Sequence, residues 1–287
     1  MNIQPILNDL DLKIGRYEPV HGGDINLSFC LHANGHRYFL KVNDAAKYPA
    51  MFKKEARGLA ALSSAFQKHD SIFIPAVLKH GTVNSQQYLL LEWIPPGSPT
   101  DDFWEVFGIA MAHLHKQPHD FYGWHEDNYI GSLNQKNTKS DSWHRFFCEC
   151  RVLPLVKQLY DKGAFSKEDV NATDMFCKRA EHLFPGEPAS LLHGDLWSGN
   201  VLVNENGEPV VIDPAIYYGH READLAMTQL FGGFDPDFLE GYHAAFPLQP
   251  AYEERFAIFN LFPLLVHVNL FGGGYLAQIR QTLKRFV

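Results

Sequence analysis

Asp195 stands five residues before Asn200, and Asp213 follows Asn200 by thirteen, directly after the apolar run Val210-Val211-Ile212. Two carboxylates and an amide at these intervals suit phosphoryl transfer. An amide oxygen and one carboxylate can hold Mg2+ on the phosphates of ATP while the other carboxylate orients the attacking hydroxyl, which is the spacing of a kinase catalytic loop and its metal-binding aspartate. Taken singly, Asp and Asn more often cap turns. Upstream residues favour the chemical explanation. Lys41 lies mid-strand in Tyr38-Phe39-Leu40-Lys41-Val42, where an ammonium can reach the α- and β-phosphates, and Glu55 falls on the next helix, placed to hold it as an ion pair. The turn His21-Gly22-Gly23-Asp24 offers Gly22 and Gly23 for close approach of backbone amides to a phosphate. It falls short of the full Gly-x-Gly-x-x-Gly pattern, and Asp24 adds a like charge. Glu92, Trp93 and Ile94 fall where main-chain groups can read an adenine edge, or simply pack as interlobe core. No Walker-type Gly-Lys-Ser/Thr loop occurs.

These residues need a particular set of elements to bring them together. Residues 14–20, 25–32 and 37–42 alternate as strands, with Asn34-Gly35 as a hairpin turn. Phe52, Ala56, Leu59, Ala60 and Leu62 recur at helical spacing, and residues 79–83 and 88–93 return to strands. The run Ile94-Pro95-Pro96-Gly97-Ser98-Pro99 then breaks regular structure. Helices dominate beyond it, over 103–116, 143–160 and 167–183, interrupted by a hairpin of residues 201–204 and 209–212 that carries Asn200 at one end and Asp213 at the other. The prediction is an α+β, two-lobed protein-kinase-like fold: a β-rich nucleotide-binding lobe over 1–93 and a mainly helical catalytic and substrate lobe over 94–287, with a ligand cleft between them.

Composition removes several other classes. With 287 residues, 46% of them hydrophobic, the chain can bury a sizeable core, and a net charge of −8 without a Lys/Arg run gives no footprint for nucleic acid. Cys30, Cys148, Cys150 and Cys177 lack the number and spacing of a disulfide framework or zinc site, which points to a reducing, cytoplasmic setting. The fifteen histidines include no His-x-x-x-His pair on one helix face next to an acidic residue, as a zinc enzyme would show. Residues 257–277 could span a bilayer by length but contain Asn260, Pro263, His267, Asn269 and Gly272-Gly273-Gly274, so they are expected to form buried helices with no membrane partner. Residues 1–12 lack the basic start and apolar core of a signal peptide.

The chain resembles the fructosamine kinase (ketosamine-3-kinase) family, relatives of aminoglycoside and choline kinases, nearly end to end. The resemblance is carried by Leu192-His193-Gly194-Asp195-Leu196-Trp197-Ser198-Gly199-Asn200, by residues 212–227 from Ile212-Asp213-Pro214-Ala215 through Gly219-His220-Arg221-Glu222-Ala223-Asp224, and by Ile130-Gly131-Ser132-Leu133-Asn134-Gln135 and Met111-Ala112-His113-Leu114-His115. It implies ATP and Mg2+ as cofactors, Asp195 as catalytic base, Asn200 and Asp213 as metal ligands, Lys41 with Glu55 at the phosphates and Glu92, Trp93 and Ile94 at the adenine. It further implies Asp224 as a buried support of the catalytic loop together with His193, and Trp197 and His220 toward the substrate. The implied substrates are ribulosamines and fructosamines, free or on protein lysines, phosphorylated on the third sugar hydroxyl by a monomer; the product sheds its sugar, which makes the role deglycation. Two alternatives stay open: a related choline, aminoglycoside or sugar kinase, and a non-catalytic nucleotide-binding module. A Ser or Cys hydrolase lacks its motif.

Overall fold

The computed structural model describes residues 2–20, 25–66 and 71–286. The first elements are α1 (Gln4–Asp9), β1 (Ile14–Val20), β2 (Leu27–Ala33), β3 (His36–Asp44), α2 (Met51–Ala65), β4 (Val77–Val83) and β5 (Gln86–Glu92). The five strands form one antiparallel sheet in the order β1-β2-β3-β5-β4. Asn34 and Gly35 set a two-residue turn between β2 and β3. With φ of 54° and 80° they meet the type I′ requirement of two left-handed residues, and Ala33 pairs with His36 across them. The pleat then sorts side chains by alternation. Leu40, Val42, Tyr88 and Leu90 pack with Ile6 and Leu7 of α1 on one face, while Leu89 and Leu91 pack with Phe52, Ala56 and Leu59 of α2 on the other. Lys41 pairs with Leu89 and so stands on the α2 face.

The remaining elements are α3 (Phe103–His115), β6 (Pro118–His119), β7 (Asn128–Ile130), β8 (Leu133–Gln135), α4 (Trp143–Phe146), a π-helical turn Phe147–Val152 running into α5 (Leu153–Asp161), α6 (Lys167–Arg179), β9 (Ala189–Leu192), β10 (Val201–Val203), β11 (Pro209–Val211), β12 (Tyr217–Gly219), α7 (Glu222–Leu230), α8 (Pro236–Ala245), α9 (Tyr252–Phe259), α10 (Leu261–Phe271) and α11 (Leu276–Phe286). The apolar stretch 257–277 is thus divided among three helices and a glycine turn. Among the described residues no helix is long and apolar enough to cross a membrane.

The chain divides into two compact units: residues 1–103 with 201–214, and residues 104–200 with 215–287. Sequence order put the boundary after residue 93 and the β10–β11 hairpin in the helical lobe; in the structure that hairpin packs with the N-terminal unit. Backbone contacts explain why. Gly97 N–H donates to Val203 C=O at 3.0 Å, and a Cβ on Gly97 would lie 2.0 Å from Asn204 O, so only glycine permits the approach. Phe73 N–H donates to Pro209 C=O and Val211 N–H to Phe73 C=O, at 2.8 and 3.1 Å. Phe73 thus meets Val210 as an isolated bridge.

Candidate active site

In the N-terminal unit, three elements bring charge to one point. Lys41 of β3 is buried, and its Nζ donates to Glu55 Oε1 of α2 at 2.8 Å and to Asp213 Oδ1 just beyond β11. Burial alone would depress the ammonium pKa, but Asp213 and Glu55 together outweigh it and raise it, so Lys41 is a permanent cation. Burial holds the Glu55 carboxyl above the usual range against the pull of Lys41. Asp213 has a φ of 55°, an uncommon left-handed conformation for a residue with a side chain, and that side chain is 41% exposed. An unusual backbone aiming an accessible carboxylate is a common mark of a functional position.

Glu92, Trp93 and Ile94, expected at an adenine edge, lie in the same unit. Glu92 ends β5, where its carboxylate accepts from Ala76 N–H. Trp93 packs near Phe39 at 6.4 Å, carries the Arg37 guanidinium 5.0 Å over its ring and buries an indole N–H without a partner. Ile94 is half-buried. Gly22 and Gly23 lie outside the described residues.

In the second unit the Asp195 loop is held by main-chain and amide bonds. Asn200 Nδ2 donates to Asp195 C=O at 2.8 Å and to Asp195 Oδ2 at 2.9 Å, which leaves Oδ1 as the acceptor of that amide. That oxygen is a hard donor of the kind Mg2+ takes, as is the Asp213 carboxylate of the N-terminal unit. Asp224 is buried, and its two oxygens accept from His193 N–H at 2.7 Å and Gly194 N–H at 2.9 Å. His193 is buried, and its Nδ1 accepts from Asp195 N–H at 3.3 Å. His115 was not singled out for a role from the sequence. Its Nε2 lies 3.4 Å from Asp224 Oδ2 and its Nδ1 3.0 Å from Tyr242 Oη, so it backs the supporting carboxylate.

Trp197 and His220 part company. The Trp197 ring lies over Gly199, where a Cβ would come within 2.3 Å of it, and it meets Phe231 edge-on at 6.0 Å. Phe231 in turn touches His267 at 4.3 Å, and His267 lies 5.8 Å from Tyr275. Only residues distant in sequence make this half-exposed aromatic cluster, so no local spacing could disclose it. His220, expected toward the substrate, is instead 0% exposed. Its ring sits 5.1 Å from Phe259 and 6.0 Å from Trp143, its Nδ1 accepts from Glu222 N–H, and burial pushes its pKa down to about 4 despite Glu187 nearby. Its neighbours are likewise structural: Arg221 Nε donates to Glu187 at 2.7 Å and Arg255 Nε to Glu222 at 2.7 Å.

Among the described residues Glu18, Cys30 and His32 are the three-residue group close enough to share a metal. His32 Nε2 lies 3.0 Å from Glu18, and Arg16 and Arg37 are the cross-strand partners of His32, so a further cation would be repelled. A surface hydrogen bond between His32 and Glu18 accounts for the group.

The fructosamine kinase family model matches residues 6–287. A protein of Enterococcus faecium assigned as a ketoamine kinase is 38% identical over 291 residues, covering 100% of both chains. A chloroplastic protein-ribulosamine 3-kinase of Oryza sativa is 36% identical over 290 residues, covering 96% of this chain and 80% of its own. A crystal structure from Thermobifida fusca assigned as a fructosamine-3-kinase matches with a TM-score of 0.84 at 32% identity, over 95% of this chain and 93% of that one. At 18% identity, where likeness speaks for fold alone, an aminoglycoside phosphotransferase crystallised with AMP-PNP and hygromycin B matches with a TM-score of 0.63 over 99% and 96%. The α+β, protein-kinase-like fold is common to all of these structures.

Proposed function

Because the chain belongs to the fructosamine kinase family, we propose that it transfers the γ-phosphoryl group of ATP to the third hydroxyl of the sugar of a ketosamine, a ribulosamine or fructosamine, free or on a protein lysine. The observation that carries this reading is the joint presence of the Lys41–Glu55–Asp213 ion cluster and the Asn200-braced Asp195 loop in a chain of that family.

In this reading Asp195 accepts the proton of the sugar hydroxyl as its oxygen bonds to the γ-phosphorus and the bond to the β-phosphate oxygen breaks, releasing ADP. Lys41, kept charged and aimed by Glu55, neutralises the α- and β-phosphates. Asn200 Oδ1 and Asp213 would hold Mg2+, which supplies further charge neutralisation on the phosphates. Glu92, Trp93 and Ile94 present main-chain groups to the adenine, and Gly22 and Gly23 present amides to the phosphates. Trp197, with Phe231 and His267 behind it, forms the apolar wall on the sugar side. The phosphorylated product sheds its sugar, and the role is deglycation by a cytoplasmic monomer.

The test is an ADP-release and product assay on ribulosyl-lysine and fructosyl-lysine beside choline, an aminoglycoside and free ribulose and fructose. Turnover of the two ketosamines, with the others at least roughly 10²-fold lower in kcat/KM, is expected, since a polar site rejects ligands lacking its hydrogen-bonding groups. Turnover confined to the other acceptors would overturn the ketosamine reading.

A further inference from the structure

Ile130-Gly131-Ser132-Leu133-Asn134-Gln135 takes no part in the chemistry above, yet its last residue is 2% exposed. Gly131, at φ 56°, turns β7 into β8 and puts Gln135 directly opposite Asn128. From there Gln135 Nε2 donates to Asn128 Oδ1 at 2.8 Å and to Ala215 C=O at 2.9 Å, while Asn128 Nδ2 donates to Ile216 C=O at 2.8 Å. Ala215 and Ile216 precede β12, so their buried carbonyls lie outside its ladder and take side-chain donors instead. The donors share one polarity. Asn137 Nδ2 donates to Asn128 Oδ1 at 2.8 Å, and Arg151 Nη2 to Asn137 Oδ1 at 2.8 Å. Arg151 is 0% exposed, with its guanidinium 3.9 Å from the Tyr217 ring and 4.5 Å from Phe146. The guanidinium thus heads a buried donor chain from Arg151 through Asn137 and Asn128 to Ile216 C=O, whose links polarise one another, and Gln135 joins it as a second donor to Asn128 Oδ1.

The bond from Gln135 to Ala215 is what matters. Ala215 N–H donates to His193 C=O at 2.9 Å, and its carbonyl lies where a Cβ on Gly194 would come within 2.1 Å. Ala215 therefore touches both residues that lead into Asp195, and any shift of Ala215 is passed to them through contact with no slack. We infer that Gln135 is a positioning residue for phosphoryl transfer, acting on the Asp195 loop through Ala215, with Arg151, Asn137 and Asn128 fixing its orientation. This rests on the reading of Asp195 as the base.

The test is Gln135→Met, which keeps length and removes the donor. It should lower kcat roughly 10²-fold, the order expected of an ångström-scale misplacement, with KM for ATP and ketosamine changed less than about twofold. Hydrogen exchange of peptides covering 193–200 should quicken while α7 stays unchanged. A folded variant with wild-type kcat, a kcat loss that merely tracks the unfolded fraction, or unchanged exchange in 193–200 would overturn the inference. Should Gln135→Met not fold, Gln135→Glu decides: only its protonated carboxyl can donate to Ala215, so its kcat relative to wild type should rise as pH falls, and a flat ratio refutes the role. Exchange needs no substrate, so a wild-type enzyme inactive on ketosamines would sink the functional reading while leaving this one to the exchange result.

Discussion

The Lys41 end and the Asp195 end are held by opposite means. At the first, side chains from β3, α2 and Asp213, just beyond β11, meet as ion pairs, and position follows from charge. At the second, a neutral lattice of amides and main-chain groups braces the loop, with one buried carboxylate, Asp224, spent on two backbone N–H groups. Buried ion pairs tolerate the loss of one partner poorly, because the remaining charge is stranded. A braced backbone instead loses geometry in proportion to the bonds removed. The two ends should therefore fail differently.

The largest contrast is expected from Asp195→Ala, which should lower kcat by roughly 10²- to 10⁴-fold while ATP affinity, measured by calorimetry, stays within about threefold. A variant with wild-type turnover would remove Asp195 from the mechanism. Next, Lys41→Met should lower kcat/KM for ATP roughly 10²-fold, with the loss visible in nucleotide binding as well as turnover; an unchanged ATP affinity would break the assignment of the charged end to phosphate. Acid should single out the second unit. His220 is held neutral to about pH 4 in the fold but takes up a proton near 6.5 when unfolded, so stability present above 6.5 is lost as pH falls from 6.5 to 4. Urea midpoints should report up to about 3 kcal/mol of loss over that window, and His220→Phe should flatten the slope. The smallest effect is expected from Asp224→Asn. Its single carbonyl oxygen leaves one loop N–H poorly satisfied, at a cost of about 1–3 kcal/mol of stability by thermal denaturation. A variant with unchanged melting would show that the loop is braced elsewhere.

Much of the charged end could be read from the sequence because its cues are local. Lys41 sits in an alternating strand, Glu55 in a helical repeat, and Asn34-Gly35 between runs whose register it sets; the pairing at 2.8 Å follows. The loop spacing from Asp195 to Asn200 was equally legible, since both ends bond each other. What escaped depends on contacts between remote segments. The β10–β11 hairpin looks the same in sequence whichever unit it joins, and its place is decided by Gly97 and Phe73. Strands of two to four residues such as β6, β9 and β12 are too short to show alternation. His220 belongs to a motif of polar residues that resembles a site, yet Arg221, Glu222 and Asp224 around it all point to internal partners, and the histidine is buried with them. Polar residue type alone does not separate a binding surface from an internal brace.

The indole resting on Gly199 has a practical consequence. In the function proposed above, the sugar-side wall is a side chain that lies flat because its neighbour has none, so position 199 would act as a dial for substrate range. A single methyl there would lever the ring upward and shrink the room left for a sugar without touching any charged group, which makes Gly199 the natural first position for engineering or resisting a change of acceptor.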